Sequence, residues 1–126
     1  MKSGRAARER GARAERQVVA VLRAHGIPAD RAYGEGRQDD RGDIDGLPEF
    51  YVQVRCRTEI RRHAWWKETC EHAKALDVIP VLIFAISRMD PETWIVWWGT
   101  ALLGVHAAAR LDDWAQDLDV DGYARP

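Results

Sequence analysis

Four polar side chains near the middle of the chain have the spacing of a shared site. Asp43 and Asp45 lie two residues apart in GDIDG, and Gln53 and Arg55 lie two residues apart in FYVQVRCR. Side chains at this spacing share one face of a strand, so the two polar faces meet if the two strands pair through the intervening turn. Carboxylate and amide oxygens suit a hard cation such as Mg²⁺ or Mn²⁺. The alternative is a polar, solvent-facing side of the sheet that holds no metal.

A glutamate in the first predicted helix is a further candidate for this pocket. Glu15 lies three, four and seven residues before Val18, Val19 and Leu22, which places it on the apolar stripe of that helix. A carboxylate that faces the core is costly unless it is paired or bound to a cation. Glu15 therefore either joins a cation site or lies at the edge of the stripe, where it pairs with an arginine or reaches solvent.

The pattern of the chain predicts an α/β fold. A single domain over 1–126 is expected, with a central mixed sheet flanked by helices. Residues 1–5 are expected to be frayed, and the acidic tail 111–126 to be solvated. The predicted elements between them, in order, are a helix from about Ala6 to His25, short strands at 28–33 and Asp43–Asp45, a strand at Glu49–Arg57, a helix at 60–76, strands in VIPVLIFAIS and TWIVWW, and a helix in ALLGVHAAAR.

Composition indicates a globular protein rather than a disordered or membrane-spanning one. The chain has 126 residues, of which 46% are hydrophobic and 31% charged, and this balance excludes disorder of the whole chain. No apolar run is long enough to span a bilayer, and the first residues lack the apolar core of a secretory signal. Two cysteines do not make a disulfide framework. We therefore expect a cytoplasmic protein.

The net charge is −1, but the charges are unevenly distributed. Residues 1–25 carry seven basic side chains and two acidic ones, and 55–67 carry five basic and one acidic. Basic segments beside an acidic cluster fit a metal-dependent enzyme that acts on a polyanion. The alternative is a set of solvated helix faces with no such role.

The ordered set of these segments resembles the PD-(D/E)xK nuclease superfamily. It is most similar to archaeal-type Holliday junction resolvases and their small phage and bacterial relatives. The matching stretches cover about residues 10–98 and are GARAERQVVAVLRAHG, GDIDG, FYVQVRCR, WWKETCEHAKAL, IPVLIFAIS and WIVWW. The resemblance implies a restriction-endonuclease-like fold. It also implies a homodimer that cleaves branched DNA with Mg²⁺ or Mn²⁺, in DNA recombination and repair.

The resemblance also implies roles for individual residues. Asp43 matches the metal-binding aspartate and Glu15 the helix glutamate that assists it, while the carbonyl of Val54 matches a further metal ligand. Gln53 stands where the family usually has glutamate, and Arg55 where it usually has lysine. The implied catalytic set is Glu15, Asp43, Gln53 and Arg55, with the first three as metal ligands.

The residues at 53 and 55 leave three accounts open. Glutamine keeps an oxygen ligand but loses a charge, and arginine can stabilise transition-state charge but cannot act as a general base. The site is active with a weakened metal shell, or another carboxylate has taken over, or the protein binds DNA without cutting it. The other candidate carboxylates are Asp45, Glu59, Glu35, Asp39 and Asp40.

The expected DNA contacts come from the basic segments. They are Arg10, Arg13, Arg16, Arg31, Arg57, Arg61 and Arg62. Trp65 is expected to be exposed, since Trp66 takes the apolar helix face. The tryptophans of the last strand belong either to the core or to a dimer interface. A third hypothesis, besides the nuclease and the DNA-binding protein that does not cut, is a protein-interaction domain with a tryptophan-rich surface.

Overall fold

The computed structural model describes residues 4–32, 42–86, 88–100 and 104–120, with side chains described up to 118 in the last range. Glu35, Asp39 and Asp40 lie outside the described residues. The elements are α1 (Gly4–Ala24), β1 (Asp30–Arg31), β2 (Ile44–Asp45), β3 (Phe50–Arg57), α2 (Arg62–Leu76), β4 (Ile79–Ile86), a short 3₁₀ helix (Pro91–Thr93), β5 (Ile95–Thr100), β6 (Val105–Arg110) and α3 (Leu111–Val120).

A mixed sheet lies at the centre of the fold. Its four strands are ordered β3-β4-β5-β6, with β3 parallel to β4 and the other two pairs antiparallel. One face packs on α1 and α3, and the other face packs on α2. The structure therefore confirms the predicted α/β class, with a mixed sheet flanked by helices.

The strand β4 shows why the sheet needs helices on both faces. Val81, Ile83 and Ala85 are buried in the cluster that includes α1 and α3, whereas Leu82 and Phe84 are buried in the cluster under α2. Alternate side chains of a strand point to opposite faces, so a continuous apolar run requires cover on each side.

The predicted helix in ALLGVHAAAR is wrong. Residues 105–110 form the strand β6, which pairs with β5 over six residue pairs from Ile95↔Arg110 to Thr100↔Val105. Alanine favours helices intrinsically, but backbone pairing with a neighbouring strand overrides so weak a preference.

The interpretation of the acidic tail as a solvated segment is also wrong for its first ten residues. Residues 111–120 form α3, and Leu111, Trp114, Ala115 and Leu118 are buried in the main core. These positions recur at the spacing of one helix face, and the exposed Asp113 and Asp117 lie between them. The aspartates obscured an amphipathic helix.

The tryptophans belong largely to the core of the chain itself. Trp94 is 1% exposed, Trp97 7% and Trp65 9%. Trp65 is therefore buried with Phe84 and is not the exposed contact that was predicted.

No helix in the described part of the chain is long and apolar enough to cross a membrane.

Candidate functional site

Asp43 is held on the open edge of β3. The amide of Asp43 donates to the carbonyl of Val52 at 2.7 Å, and the Asp43 Oδ2 atom accepts a hydrogen bond from the amide of Val54 at 2.8 Å. The condition that β2 and β3 pair with each other is not met, because β2 pairs with β1 instead. Asp43 nevertheless meets β3, because the residue before it bridges to Val52.

Two glycines allow this approach of GDIDG to the rest of the fold. Gly42 has φ +91° and Gly46 has φ +95°, and residues that carry a side chain rarely adopt this backbone conformation. A Cβ atom at Gly42 would lie 2.7 Å from the carbonyl oxygen of Val52, and one at Gly46 would overlap the carbonyl oxygen of Pro28. Glycine at position 42 therefore brings the Asp43 carboxylate within reach of β3.

The guanidinium of Arg55 binds the oxygens that surround this edge. Its Nη1 atom donates to Val54 O at 2.8 Å and to Asp43 Oδ2 at 3.2 Å. Its Nη2 atom lies 3.7 Å from Glu68 Oε1 on α2. One cationic nitrogen thus bridges the carboxylate and the carbonyl that the family resemblance assigned to a metal ion.

Glu15 faces the same part of the molecule from α1. Its Oε1 atom accepts a hydrogen bond from Arg31 Nε at 3.1 Å, and only 18% of its side chain is exposed. Burial raises the pKa of Glu15, and the negative charge of Asp43 raises that pKa further, while Arg31 and Arg55 oppose both effects. The charge of Asp43 acts on Glu15, so the two predicted acidic residues belong to one electrostatic cluster.

Gln53 is buried and its amide faces α2. It is 3% exposed. Among the described residues, its Oε1 bonds with the hydroxyl of Thr69 and its Nε2 donates to Glu68 Oε1 at 3.2 Å. The carbonyl of Trp65 also lies within hydrogen-bond reach of that hydroxyl, at 2.7 Å. A hydroxyl has only one proton, so Thr69 donates to one of these two oxygens at a time.

Glu68 is the site residue that the sequence reasoning missed. It contacts both Gln53 and Arg55 from α2. Glu68 follows Trp65 by three residues and precedes Thr69, and both of these lie on the buried face of that helix, but the helix pattern alone does not show that Glu68 meets β3. Of the carboxylates that were considered, Glu59 pairs with Arg61 at 3.8 Å on the surface, and Asp45 lies opposite Asp30 in the β1–β2 pair.

The predicted DNA-contacting arginines fall into separate groups. Arg57 follows the site on β3, and its pKa is lowered by burial and then by the charges of Arg55 and Arg10. The charge of Arg10 on α1 therefore acts on Arg57. The remaining exposed arginines are Arg13 and Arg16 on α1, and Arg61 and Arg62 at the start of α2. The guanidinium carbon of Arg62 lies 5.9 Å from the centroid of the Trp97 ring.

Arg31 differs from the other predicted DNA contacts because it forms an ion pair with Glu15 and only 25% of its side chain is exposed.

The oxygen donors of the site suit a hard cation. Asp43 Oδ2 and Val54 O converge on a single positively charged nitrogen, and both are oxygen ligands of the kind that Mg²⁺ and Mn²⁺ prefer. Among the described residues, no group of three or more His, Cys, Asp or Glu side chains could hold a metal ion. Asp43 Oδ2 and Val54 O are thus two oxygen donors of the required kind, and the Arg55 guanidinium binds both.

Comparison with solved structures found chains of similar fold. No protein-family model matches the chain, and no curated protein matches it. The chain is similar to the solved structure of Archaeoglobus fulgidus Hjc, a Holliday junction resolvase from an archaeal hyperthermophile. The TM-score is 0.49 and the identity 17%, with coverage of 86% of this chain and 93% of that one. We infer function from this chain's own residues.

Proposed function

We propose that this protein is a divalent-metal-dependent endonuclease that hydrolyses phosphodiester bonds in DNA. The observation that carries the proposal is the cluster of Glu15, Asp43 and Arg55. These residues come from α1, from the segment before β2 and from β3, and they interact electrostatically at one edge of the sheet. A four-way junction bound by a homodimer is the proposed substrate.

Each residue has a proposed role in this reaction. Asp43 and the Val54 carbonyl would hold the cation, with Glu15 as the nearby second carboxylate. When bound, a divalent cation neutralises charge on the phosphate and lowers the pKa of water. The Arg55 guanidinium would place its positive charge on the phosphate at which negative charge develops.

The arginines beside the site would position the DNA. The positive charge of Arg10 acts on Arg57. Such a pair is unfavourable in the free protein and gains from a polyanion, because phosphates relieve the repulsion. Contacts to the sugar-phosphate backbone fix orientation without reading sequence, which suits recognition of DNA shape.

The test is cleavage of an end-labelled four-way junction beside a linear duplex of the same sequence, in Mg²⁺, Mn²⁺ or EDTA. We expect metal-dependent paired nicks near the branch point. Asp43→Asn should bind the junction and leave it intact. Asp112→Asn is the matched control, since Asp112 pairs with Arg110 on the surface at 3.1 Å, and it should cut normally. Normal cutting by Asp43→Asn would overturn the site assignment. Sedimentation of the free protein tests the dimer.

A second candidate function is DNA binding without cleavage. The position of Arg55 favours it, because the guanidinium already neutralises Asp43 and bonds to the Val54 carbonyl. A protein of this kind would retain junctions in a salt-sensitive way and leave them uncut in either metal. Equal junction binding in EDTA and in Mn²⁺, with no nicks, would select this function over the nuclease.

A further inference from the structure

The Arg55 side chain lies between two carboxylates that differ in their exposure. Asp43 is 28% exposed and contacts Nη1 at 3.2 Å, whereas Glu68 is 49% exposed and lies 3.7 Å from Nη2. The shorter contact is thus on the inner carboxylate and the longer one on the outer carboxylate. A small displacement of the guanidinium would exchange the first contact for a closer one with Glu68.

Glu68 is held in place for such an exchange. Its Oε1 atom accepts the hydrogen bond from Gln53 Nε2 at 3.2 Å, and Gln53 is buried and bonded in turn to Thr69. Gln53 therefore orients the outer carboxylate. This gives the glutamine at position 53 a physical role in the site that does not require it to bind metal.

We propose that the Arg55 guanidinium is a built-in competitor for the divalent cation. It occupies the point where Asp43 Oδ2 and Val54 O converge, and in the absence of DNA Glu68 receives it when a cation binds there. The inference rests on the proposed metal dependence of the site. Two positive charges at one pair of oxygens repel each other, so cation binding and the Arg55–Asp43 contact exclude each other.

The test is a titration of the protein with Mn²⁺ in the absence of DNA, followed by calorimetry and by the electron paramagnetic resonance signal of free Mn²⁺. Arg55→Met keeps most of the aliphatic stem and removes the charge. We expect it to bind one Mn²⁺ at least about tenfold more tightly than the wild type, which corresponds to about 1.4 kcal/mol. Arg55→Ala should behave in the same way. Circular dichroism establishes that each variant is folded.

Two controls separate this effect from a general change in charge. Arg57→Met removes the same charge two residues further along β3, and it should change the affinity for Mn²⁺ by less than about threefold. Arg55→Met combined with Asp43→Asn should lose the tight site. An affinity in Arg55→Met equal to that of Arg57→Met, or a wild type that already binds Mn²⁺ as tightly, overturns the proposal.

The outcomes also distinguish this inference from the proposed nuclease activity. Tight Mn²⁺ binding by both Arg55 variants, with no cleavage by the wild type, supports the competitor role and contradicts the nuclease. Cleavage by the wild type with unchanged Mn²⁺ affinity in the Arg55 variants supports the nuclease and contradicts the competitor role.

Discussion

The contact between Gln53 and Glu68 predicts that a second carboxylate at position 53 destabilises the protein. The Gln53 Nε2 atom donates to Glu68 Oε1 at 3.2 Å, and Gln53 is 3% exposed. The substitution Gln53→Glu replaces this donor by an acceptor that is negatively charged at neutral pH. It should lower the free energy of unfolding, because it sets two carboxylates against each other at a site where one of them is buried.

The size of this loss in the free energy of unfolding follows from the distance between the side chains at 53 and 68 and from the exposure of Glu68. Two unit charges at this separation repel by about 5 kcal/mol at an effective dielectric constant of about 20. Glu68 is 49% exposed and can rotate towards water, so we expect a measured cost of about 2–3 kcal/mol. The cost should fall as the pH is lowered from about 7 to about 5, because one shared proton removes the repulsion.

Urea denaturation at the two pH values measures this cost, and a double-mutant cycle isolates the contact. Glu68→Gln alone should cost less than about 1 kcal/mol, because it removes one half-exposed ion pair. The double variant Gln53→Glu with Glu68→Gln exchanges donor and acceptor, so it should recover most of the stability lost in the single Gln53→Glu variant. Wild-type stability of Gln53→Glu at neutral pH would refute the reasoning.

Three further predictions concern residues that support the site. Thr69 is fully buried, so Thr69→Val should lower the free energy of unfolding by about 1–3 kcal/mol in urea, and Thr69→Ser by less, because only the former leaves a buried partner unsatisfied. Gly42→Ala should cost about 1–3 kcal/mol because of its positive φ. The helical control Gly11→Ala, which has open space around it, should stabilise the protein. The pKa of Glu15 is raised, so its ionisation destabilises the fold as the pH rises from the usual glutamate range upward. Glu15→Gln should therefore gain stability relative to the wild type over that range, and equal pH profiles would contradict the shift.

The elements that the sequence predicted correctly are those in which buried apolar residues recur with the period of a single helix or strand. The apolar stripe of α1 and the alternation of β3 both follow from such periodicity. The strand β6 was missed because its residues are mostly exposed, and the signal that makes it a strand is its pairing with β5. The helix α3 was missed because its many aspartates were interpreted as a solvated segment, although four apolar positions among them recur on one helix face and are buried.

The site divides in a similar way. Glu15 and Asp43 could be selected from the sequence, because each is a carboxylate at a position where a neighbouring element must approach it. Glu68 could not be assigned by rules that consider each strand or helix separately, since its importance depends on how α2 packs against β3. Its contacts with Gln53 and Arg55 join residues 13 to 15 positions apart in the sequence.

The position of Glu68 changes the interpretation of the residues at 53 and 55. Asp43 and Glu68 flank Arg55, and these three side chains together carry a net charge of minus one, with Glu68 contributed by α2. A weak affinity for metal would then arise from the guanidinium on Asp43 rather than from a missing charge.

We predict that Glu68 contributes to cation binding once Arg55 no longer competes. In the Arg55→Met background, Glu68→Gln should weaken Mn²⁺ binding by about three- to tenfold, because a carboxylate close to the cation is removed. In the wild-type background the same substitution should have a smaller effect, since Glu68 there also serves to receive the guanidinium. Calorimetric titration of the four proteins with Mn²⁺ measures both effects. If Glu68→Gln leaves the affinity of Arg55→Met unchanged, the helix carboxylate does not replace the one absent from β3.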